Sequence, residues 1–168
     1  MKIVILQGSP REEGNTAHLA RAFTEGACEK HNVEIFDVAR MEIGGCKGCN
    51  ACKEKGICVQ KDEMQMIYHS LTEADMLVLA SPVYFYGISS QLKAAIDRLH
   101  NPIRDTFHIY KAAILLCGGS SKPWIFDGIL KQWEICLDYF GIEDAGRILV
   151  GGNTENGEEM ARNFGREI

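Results

Sequence analysis

The sequence predicts one α/β domain, built on a five-stranded parallel sheet with helices on both faces. Short segments rich in β-branched and long aliphatic residues alternate with longer segments whose apolar residues recur every three or four positions. The segment at 75–80 is a nearly continuous apolar run, typical of a strand buried on both faces of a parallel sheet. No linker, repeat or low-complexity segment divides the chain, so we expect residues 1–168 to form a single domain.

Each predicted strand is a short apolar run bounded by glycine, proline or polar residues. The first is followed at once by Gly8-Ser9-Pro10, which stops a strand, and by a polar turn that leads into a helix. The predicted strands cover residues 2–7, 33–38, 75–80, 111–117 and 145–150.

Each predicted helix has an apolar stripe, and several have a residue suited to capping at one end. Asp62 and either Ser89 or Ser90 are candidate N-caps, and Gly141 is expected to end the helix that contains Trp124 and Trp133. Both tryptophans lie on the stripe of that helix and are expected to face inward. The predicted helices cover residues 17–30, 61–71, 90–99, 123–140 and 155–164, and a loop is expected over 101–110.

Composition excludes several classes of function. The formal net charge is −5 and no basic stripe is visible, so a nucleic-acid partner is not expected. The apolar runs are far too short to span a bilayer, and the first residues lack a signal-peptide pattern, so we expect a cytoplasmic protein with no membrane partner. No Ser–His–acid arrangement or metal-spaced histidine pair supports hydrolase chemistry.

The loops after the first, third and fourth strands are the candidate site, because ligands of such sheets bind at the carboxyl ends of the strands. The first loop places helix-terminal amides beside Ser9, Asn15, Thr16 and the charge of Arg11, which suits a phosphate. The alternative is an ordinary strand–helix turn capped by Asn15 or Thr16. The three loops cover residues 8–16, 81–88 and 118–122.

The second and third loops supply different surfaces. Tyr84, Phe85 and Tyr86 could stack on a planar apolar ligand, and Gly87 would allow close approach of the backbone. Alternatively, the aromatic residues pack the loop onto its own domain or onto another subunit. The third loop adds free amides and hydroxyls. A phosphate end, a flat apolar wall and a polar wall match FMN, and the G-x-G-x-x-G dinucleotide motif is absent after the first strand.

Three segments resemble the NADPH-dependent FMN reductase family of flavodoxin-like proteins: GSPREEGNT, SPVYFYGISSQLKAAIDR and CGGS. The resemblance extends from Met1 to about Val150. It implies a flavodoxin-like fold, non-covalently bound FMN, and a homodimer or homotetramer with the flavin near a subunit interface. The positions that it implies for FMN binding are Ser9, Arg11, Asn15, Thr16, Pro82, Val83, Tyr84, Phe85, Gly87, Gly118, Gly119 and Ser120.

A glycine-containing loop at 44–60 holds Cys46, Cys49, Cys52 and Cys58 in the pattern C-x2-C-x2-C-x5-C. Four thiolates suit a [4Fe–4S] cluster, and bacterial ferredoxin motifs begin with the same C-x2-C-x2-C. The block resembles that of the iron-sulfur flavoproteins, a branch of this group, which implies electron transfer from a cluster to the FMN of a neighbouring subunit. A metal-free loop, a reversible thiol–disulfide pair or a zinc site are the alternatives.

The remaining three cysteines, Cys28, Cys117 and Cys136, lie in apolar helix or strand segments and are expected to be buried core residues.

The expected function is therefore electron transfer through FMN, with NAD(P)H or an iron-sulfur cluster or ferredoxin as donor. The expected partner is a small-molecule electron acceptor or a redox protein such as ferredoxin. No side chain is required as general acid or base, because the flavin itself performs the redox chemistry. The alternatives are a flavodoxin-type electron carrier without small-molecule turnover and a cysteine-based metal or redox sensor.

Overall fold

Five parallel strands form one sheet in the order β2-β1-β3-β4-β5 in the computed structural model, which describes residues 1–152 and 156–168. The strand order reverses at β1, which pairs with β2 on one side and with β3 on the other. This strand order is that of flavodoxin-like folds, so the predicted fold class is confirmed. The strands are β1 (Lys2–Gln7), β2 (Asn32–Asp37), β3 (Met76–Pro82), β4 (Lys111–Gly118) and β5 (Glu143–Gly151).

Helices connect the strands and cover both faces of the sheet. A short 3-10 helix, Pro123–Phe126, leads into the longest of them. The α-helices are α1 (Asn15–Ala27), α2 (Cys52–Lys55), α3 (Met64–Leu71), α4 (Ser90–Ile96), α5 (His100–Asp105), α6 (Asp127–Phe140) and α7 (Gly157–Glu167).

The sheet separates two apolar layers, because alternate residues of a strand point to opposite faces. Val4 and Leu6 of β1 contribute to the layer beneath α3, α4 and α6. Ile3 and Ile5 contribute to the layer beneath α1 and α7. All four side chains are fully buried, and each such aliphatic side chain contributes about 1.5–3 kcal/mol through its burial. The two layers hold the strands in register and fix the positions of the loops at their ends.

Helices α1 and α7 approach each other closely through glycine residues. A Cβ atom on Gly26 would lie 2.0 Å from the Arg162 carbonyl oxygen, and one on Gly165 would lie 2.3 Å from the Phe23 carbonyl oxygen. Only glycine fits at either position, so this packing sets the orientation of α1 over the sheet.

Two predictions about the elements are wrong. The expected loop over 101–110 begins instead as α5, in which Pro102 is tolerated because it lies in the first turn. Trp124 is 53% exposed, because it belongs to the 3-10 turn and not to the α-helical stripe that buries Trp133. The predicted start of the last helix, at 155, lies outside the described residues.

The predicted burial of the three isolated cysteines is confirmed only for Cys117. Cys28 is exposed because α1 ends one residue before it. Cys136 is exposed because it precedes Leu137, and the buried stripe of α6 runs through Ile129, Trp133 and Leu137.

Within residues 1–152 and 156–168, no helix combines the length and the apolar composition that crossing a membrane would need.

Candidate functional site

The carboxyl ends of β1, β3 and β4 meet at one edge of the sheet, and the three predicted loops lie together there. The Gly8 N–H donates to the Ala80 carbonyl at 2.8 Å, and the Val83 N–H donates to the Cys117 carbonyl at 2.8 Å. These hydrogen bonds tie the first and second loops to the neighbouring strands. We call this region, residues 8–16, 81–88 and 118–122, the loop edge.

The first loop presents the amino end of α1 at the loop edge. The N-cap residue is Gly14, which has no side chain with which to satisfy the first amides of the helix. Capping by Asn15 or Thr16 is therefore wrong: both lie within the helix, where Asn15 is exposed and Thr16 is buried. A helix end of this kind favours an anion, because its first amides point outward and its dipole is positive there.

Hydrogen bonds within the first loop fix its path. Ser9 is buried, and its Oγ accepts the Arg11 N–H at 3.2 Å. The Gly14 N–H donates to the Arg11 carbonyl at 3.2 Å. The Arg11 side chain is exposed, and no ion pair joins it to another residue that the structure describes.

Asn15 also links the first loop to the end of β4. Burial raises the pKa of the Cys117 thiol, and a hydrogen bond from the Asn15 side chain acts in the opposite direction. Asn15 therefore lies near the end of β4, where the third loop begins.

The second loop contains a tight turn from Tyr84 to Gly87. The two residues exchange backbone hydrogen bonds of 2.9 and 3.0 Å. Phe85 and Tyr86 between them have positive φ angles of 49° and 61°, which bulky residues rarely adopt. Such strain persists where surrounding structure imposes it and is frequent at functional sites.

The aromatic side chains of this turn are exposed to different degrees. Phe85 is 99% exposed, whereas Tyr86 packs against Trp124 with ring centroids 5.7 Å apart. Packing of the loop onto its own domain therefore accounts for Tyr86 but not for Phe85. At the base of the turn, Pro82 is buried and Val83 is half-buried.

The third loop is packed at its start and open at its middle. A Cβ atom on Gly118 would lie 2.4 Å from Ile125 Cδ1, whereas one on Gly119 would have no neighbour within 4 Å. Ser120 Oγ accepts the Lys122 N–H at 3.2 Å, and this hydrogen bond lies within the loop itself. The exposed backbone at Gly119 is therefore the part of the loop that a ligand can approach.

The four block cysteines line one cleft of about 190 Å³, which we call the cysteine cleft. Cys46 and Cys49 are exposed, and Cys52 and Cys58 are half-buried. No disulfide joins cysteines in the described part of the chain. Within the same residues, no three potential ligands are already gathered at the distances needed to hold a metal ion.

A buried cation lies against this cleft. Arg98 has a fully buried side chain, and its Nη1 donates to the Asp62 carboxylate and, at 3.0 Å, to the Gly44 carbonyl. Burial acts to raise the pKa of the Cys58 thiol, but the Gln60 amides and the Arg98 guanidinium outweigh it and hold that pKa below its usual range. Four thiols beside a buried positive charge fit an anionic thiolate-bound group such as an iron-sulfur cluster.

The sequence did not reveal the roles of Asp62, Gln60 and Arg98 at the cleft. The prediction that Asp62 is the N-cap of α3 is wrong, because Glu63 occupies that position; the Asp62 Oδ1 still accepts the Met64 N–H at 3.3 Å. Its second oxygen pairs with Arg98, 36 residues away, and no local pattern indicates that contact.

A separate apolar cavity of about 420 Å³ lies between the sheet and helices α4, α5 and α6. Its walls are mainly aliphatic and aromatic, including Leu79, Ile114 and Trp133. It shares Cys46, Asp97 and His100 with the cysteine cleft. These walls do not suit a phosphate and a ribityl chain, so the loop edge is the better candidate for a flavin.

Several known proteins are similar to this chain. The family model of NADPH-dependent FMN reductases matches residues 1–123. An iron-sulfur flavoprotein from Methanosarcina thermophila is 33% identical over 160 residues, which are 94% of this chain and 81% of that protein. An iron-sulfur flavoprotein from Methanocaldococcus jannaschii is 42% identical over 110 residues, which are 65% of this chain and 56% of that protein.

This chain thus spans little more than half the length of the Methanocaldococcus protein. Among solved structures, the NAD(P)H:quinone oxidoreductase from Methanothermobacter marburgensis superposes with a TM-score of 0.79 at 20% identity, covering 99% of this chain and 95% of that one. At that identity the likeness concerns the fold. The family match and the Methanosarcina relative together show that the chain belongs to the NADPH-dependent FMN reductase family.

Proposed function

We propose that this chain binds FMN non-covalently at the loop edge and acts as an FMN-dependent oxidoreductase. The observation that carries the proposal is the uncapped amino end of α1, which opens beside an exposed aromatic turn where the strand order reverses. A phosphate and a planar ring would each meet a suitable surface there.

Each loop has a part in this proposal. The α1 amides with Ser9, Asn15 and Thr16 hold the phosphate, and Arg11 adds charge. Residues 82–87 line the ring, and residues 118–120 supply backbone amides to its polar edge. When bound, FMN supplies the redox chemistry, so the protein needs only to bind, orient and tune it.

We further propose that the cysteine cleft holds a [4Fe–4S] cluster that exchanges electrons with FMN. Support comes from the four thiols lining one cleft, the buried charge of Arg98, and the naming of relatives as iron-sulfur flavoproteins. The cysteine loop would have to close further to ligate a cluster. NAD(P)H is the other candidate donor, supported by the description of the family as NADPH-dependent.

The exposed aromatic surface supports assembly into a homo-oligomer. Phe85 is almost fully exposed, and Tyr86 and Trp124 are each more than half exposed beside it. Apolar side chains grouped in this way are typical of interaction sites. A small-molecule acceptor or a redox protein such as ferredoxin would approach the flavin beside this surface.

The identity of the electron donor to FMN is tested by an anaerobic ultraviolet–visible spectrum of freshly purified protein. Iron and acid-labile sulfide are assayed on the same sample. We expect flavin bands, a broad visible absorbance and about four irons per chain. Flavin bands without iron, bleached by NAD(P)H, would overturn the cluster and leave the oxidoreductase. Metal without flavin would overturn the oxidoreductase and favour a cysteine-based sensor.

Cys49→Ser separates the two cofactors. This variant is expected to lose its iron and keep its FMN, because Cys49 lies in the cysteine cleft and not at the loop edge. The matched control is Cys28→Ser, an exposed cysteine outside the block, which should retain both. Full iron content in Cys49→Ser would contradict the assigned ligand set.

A further inference from the structure

The two ends of the cysteine loop are fastened to each other by one ion pair. Asp62 Oδ2 accepts the Gly44 N–H at 3.0 Å, and the same carboxylate pairs with Arg98. Arg98 Nη1 also donates to the Gly44 carbonyl at 3.0 Å. Arg98 thus contacts both ends of the segment that carries the four cysteines.

Only part of the Arg98 guanidinium is used in this way. Its side chain is fully buried, yet Nε and Nη2 have no hydrogen-bond partner among the described residues. The Tyr68 ring lies 5.9 Å from the guanidinium carbon, and the Tyr68 hydroxyl donates to the Arg98 carbonyl. A buried donor without a partner is costly, and one carboxylate only partly compensates a buried guanidinium.

The unpaired side of this cation borders the cysteine cleft. Arg98 is among the residues that line the cleft with the four cysteines, and it interacts electrostatically with Cys58. Sulfur atoms carrying negative charge are therefore the natural counterpart of the two unpaired nitrogens. An arginine side chain keeps its charge throughout the range in which proteins are folded, so this charge is permanent.

We propose that Arg98 is a positioning residue of the cysteine site, which fastens the loop and sets the reduction potential of the cluster through its buried charge. The inference rests on the proposed [4Fe–4S] cluster. In a titration with dithionite, a bound cluster would accept one electron, which would add one unit of negative charge to the cluster and its thiolates. A fixed positive charge nearby stabilises the reduced form more than the oxidised form.

Burial makes this effect specific to Arg98. Lys47 lines the same cleft, but it is exposed to water and its charge is screened. A buried charge interacts through a medium of lower effective dielectric constant and is screened much less. Removing the charge at position 98 should therefore change the potential more than removing the charge at position 47.

The test is a redox titration of the iron-loaded protein, followed by electron paramagnetic resonance, on the wild type and on Arg98→Gln, Arg98→Lys and Lys47→Gln. In Arg98→Gln we expect the equilibrium constant for reduction to fall about tenfold, or ~59 mV for a one-electron couple. Arg98→Lys keeps the charge and should retain most of the wild-type potential. Lys47→Gln should differ little from the wild type.

The variant Asp62→Asn distinguishes the two roles of Arg98, which are to link the ends of the cysteine loop and to place a positive charge beside the cleft. It weakens the link between the loop ends but leaves Arg98 charged, so the potential should not fall even if less iron is bound. If Arg98→Gln does not fold, the reduction potential of Asp62→Asn can still be measured and compared with that of the wild type.

Equal potentials in Arg98→Gln and the wild type, or an equal fall in Lys47→Gln, would overturn the inference while leaving the cluster in place. A fall in Asp62→Asn as large as that expected for Arg98→Gln would also overturn it. A wild-type protein that binds FMN but no iron would overturn both this inference and the proposed cluster, but not the flavin site.

Discussion

Asn15 and Thr16 are the two residues through which the start of α1 would act on a ligand. Asn15 is exposed and its side chain reaches Cys117 at the end of β4, whereas Thr16 is buried in the first turn. Neither caps the helix, because Gly14 occupies that position. Their side chains are therefore not needed to begin α1, and their role in the proposal is hydrogen bonding to the phosphate.

We expect Asn15→Ala and Thr16→Ala each to weaken FMN binding by about tenfold or more without unfolding the domain. A hydrogen bond to a charged group contributes about 1.5–3 kcal/mol. Fluorescence titration measures the affinity, and circular dichroism reports folding. The control is Thr24→Ala on the same helix, whose hydroxyl donates to the Ala20 carbonyl at 2.8 Å away from the loop edge. Unchanged affinity in both variants would refute the phosphate assignment.

At the scale of single residues, the sequence predicted which cysteines share a site better than it predicted the burial and tertiary contacts of individual side chains. The cysteine spacing pointed to one site, and the four residues do line one cleft. The contact of Arg98 with Asp62 joins α4's end to the loop before α3, so it depends on tertiary packing that no local pattern contains. Likewise Cys28 follows the apolar stripe of α1 in sequence but lies beyond the end of the helix.

Among the elements, the turn from Tyr84 to Gly87 combines backbone strain with exposed aromatic surface. Phe85 and Tyr86 both have left-handed backbone conformations, which asparagine and glycine adopt more readily. The sequence predicted that these aromatic residues line a ligand site. It did not predict their positive φ angles, because aromatic residues rarely adopt them. The turn therefore costs stability and presents exposed aromatic side chains at the loop edge.

Phe85→Asn should raise the free energy of unfolding by about 1 kcal/mol, because it relieves the strain at position 85. It should also weaken FMN binding through loss of the aromatic ring. Phe85→Ala is the matched control, since it removes the ring but keeps an unfavourable backbone conformation. Chemical denaturation measures stability. Equal stabilities of the two variants would show that the turn is not strained.

On the scale of the whole molecule, the packing of α1 on α7 connects the fold to the site. Alternating apolar strands and amphipathic helices were sufficient to predict the sheet and its layers. The same patterns could not predict the close approach of the two helices, which depends on where Gly26 and Gly165 lie relative to a distant backbone. Through this contact α7 holds α1, whose amino end opens at the loop edge.

Gly26→Ala should destabilise the domain by about 1–3 kcal/mol, because its Cβ would lie 2.0 Å from the Arg162 carbonyl oxygen and the helices must move apart. Gly119→Ala is the control, since a Cβ there would meet nothing within 4 Å. Thermal unfolding compares the two variants. A Gly26→Ala protein as stable as the control would mean that α1 and α7 are not held in this close contact.

We propose above all that the amino end of α1 binds the phosphate of FMN. The most direct measurement is a fluorescence titration of flavin-free wild-type protein with FMN and, separately, with riboflavin, which has the same ring and ribityl chain but no phosphate. We predict one FMN per chain and at least about tenfold weaker binding of riboflavin, a difference of ~1.4 kcal/mol. No binding of FMN, or equal affinities for the two flavins, would show that this helix end does not bind the phosphate.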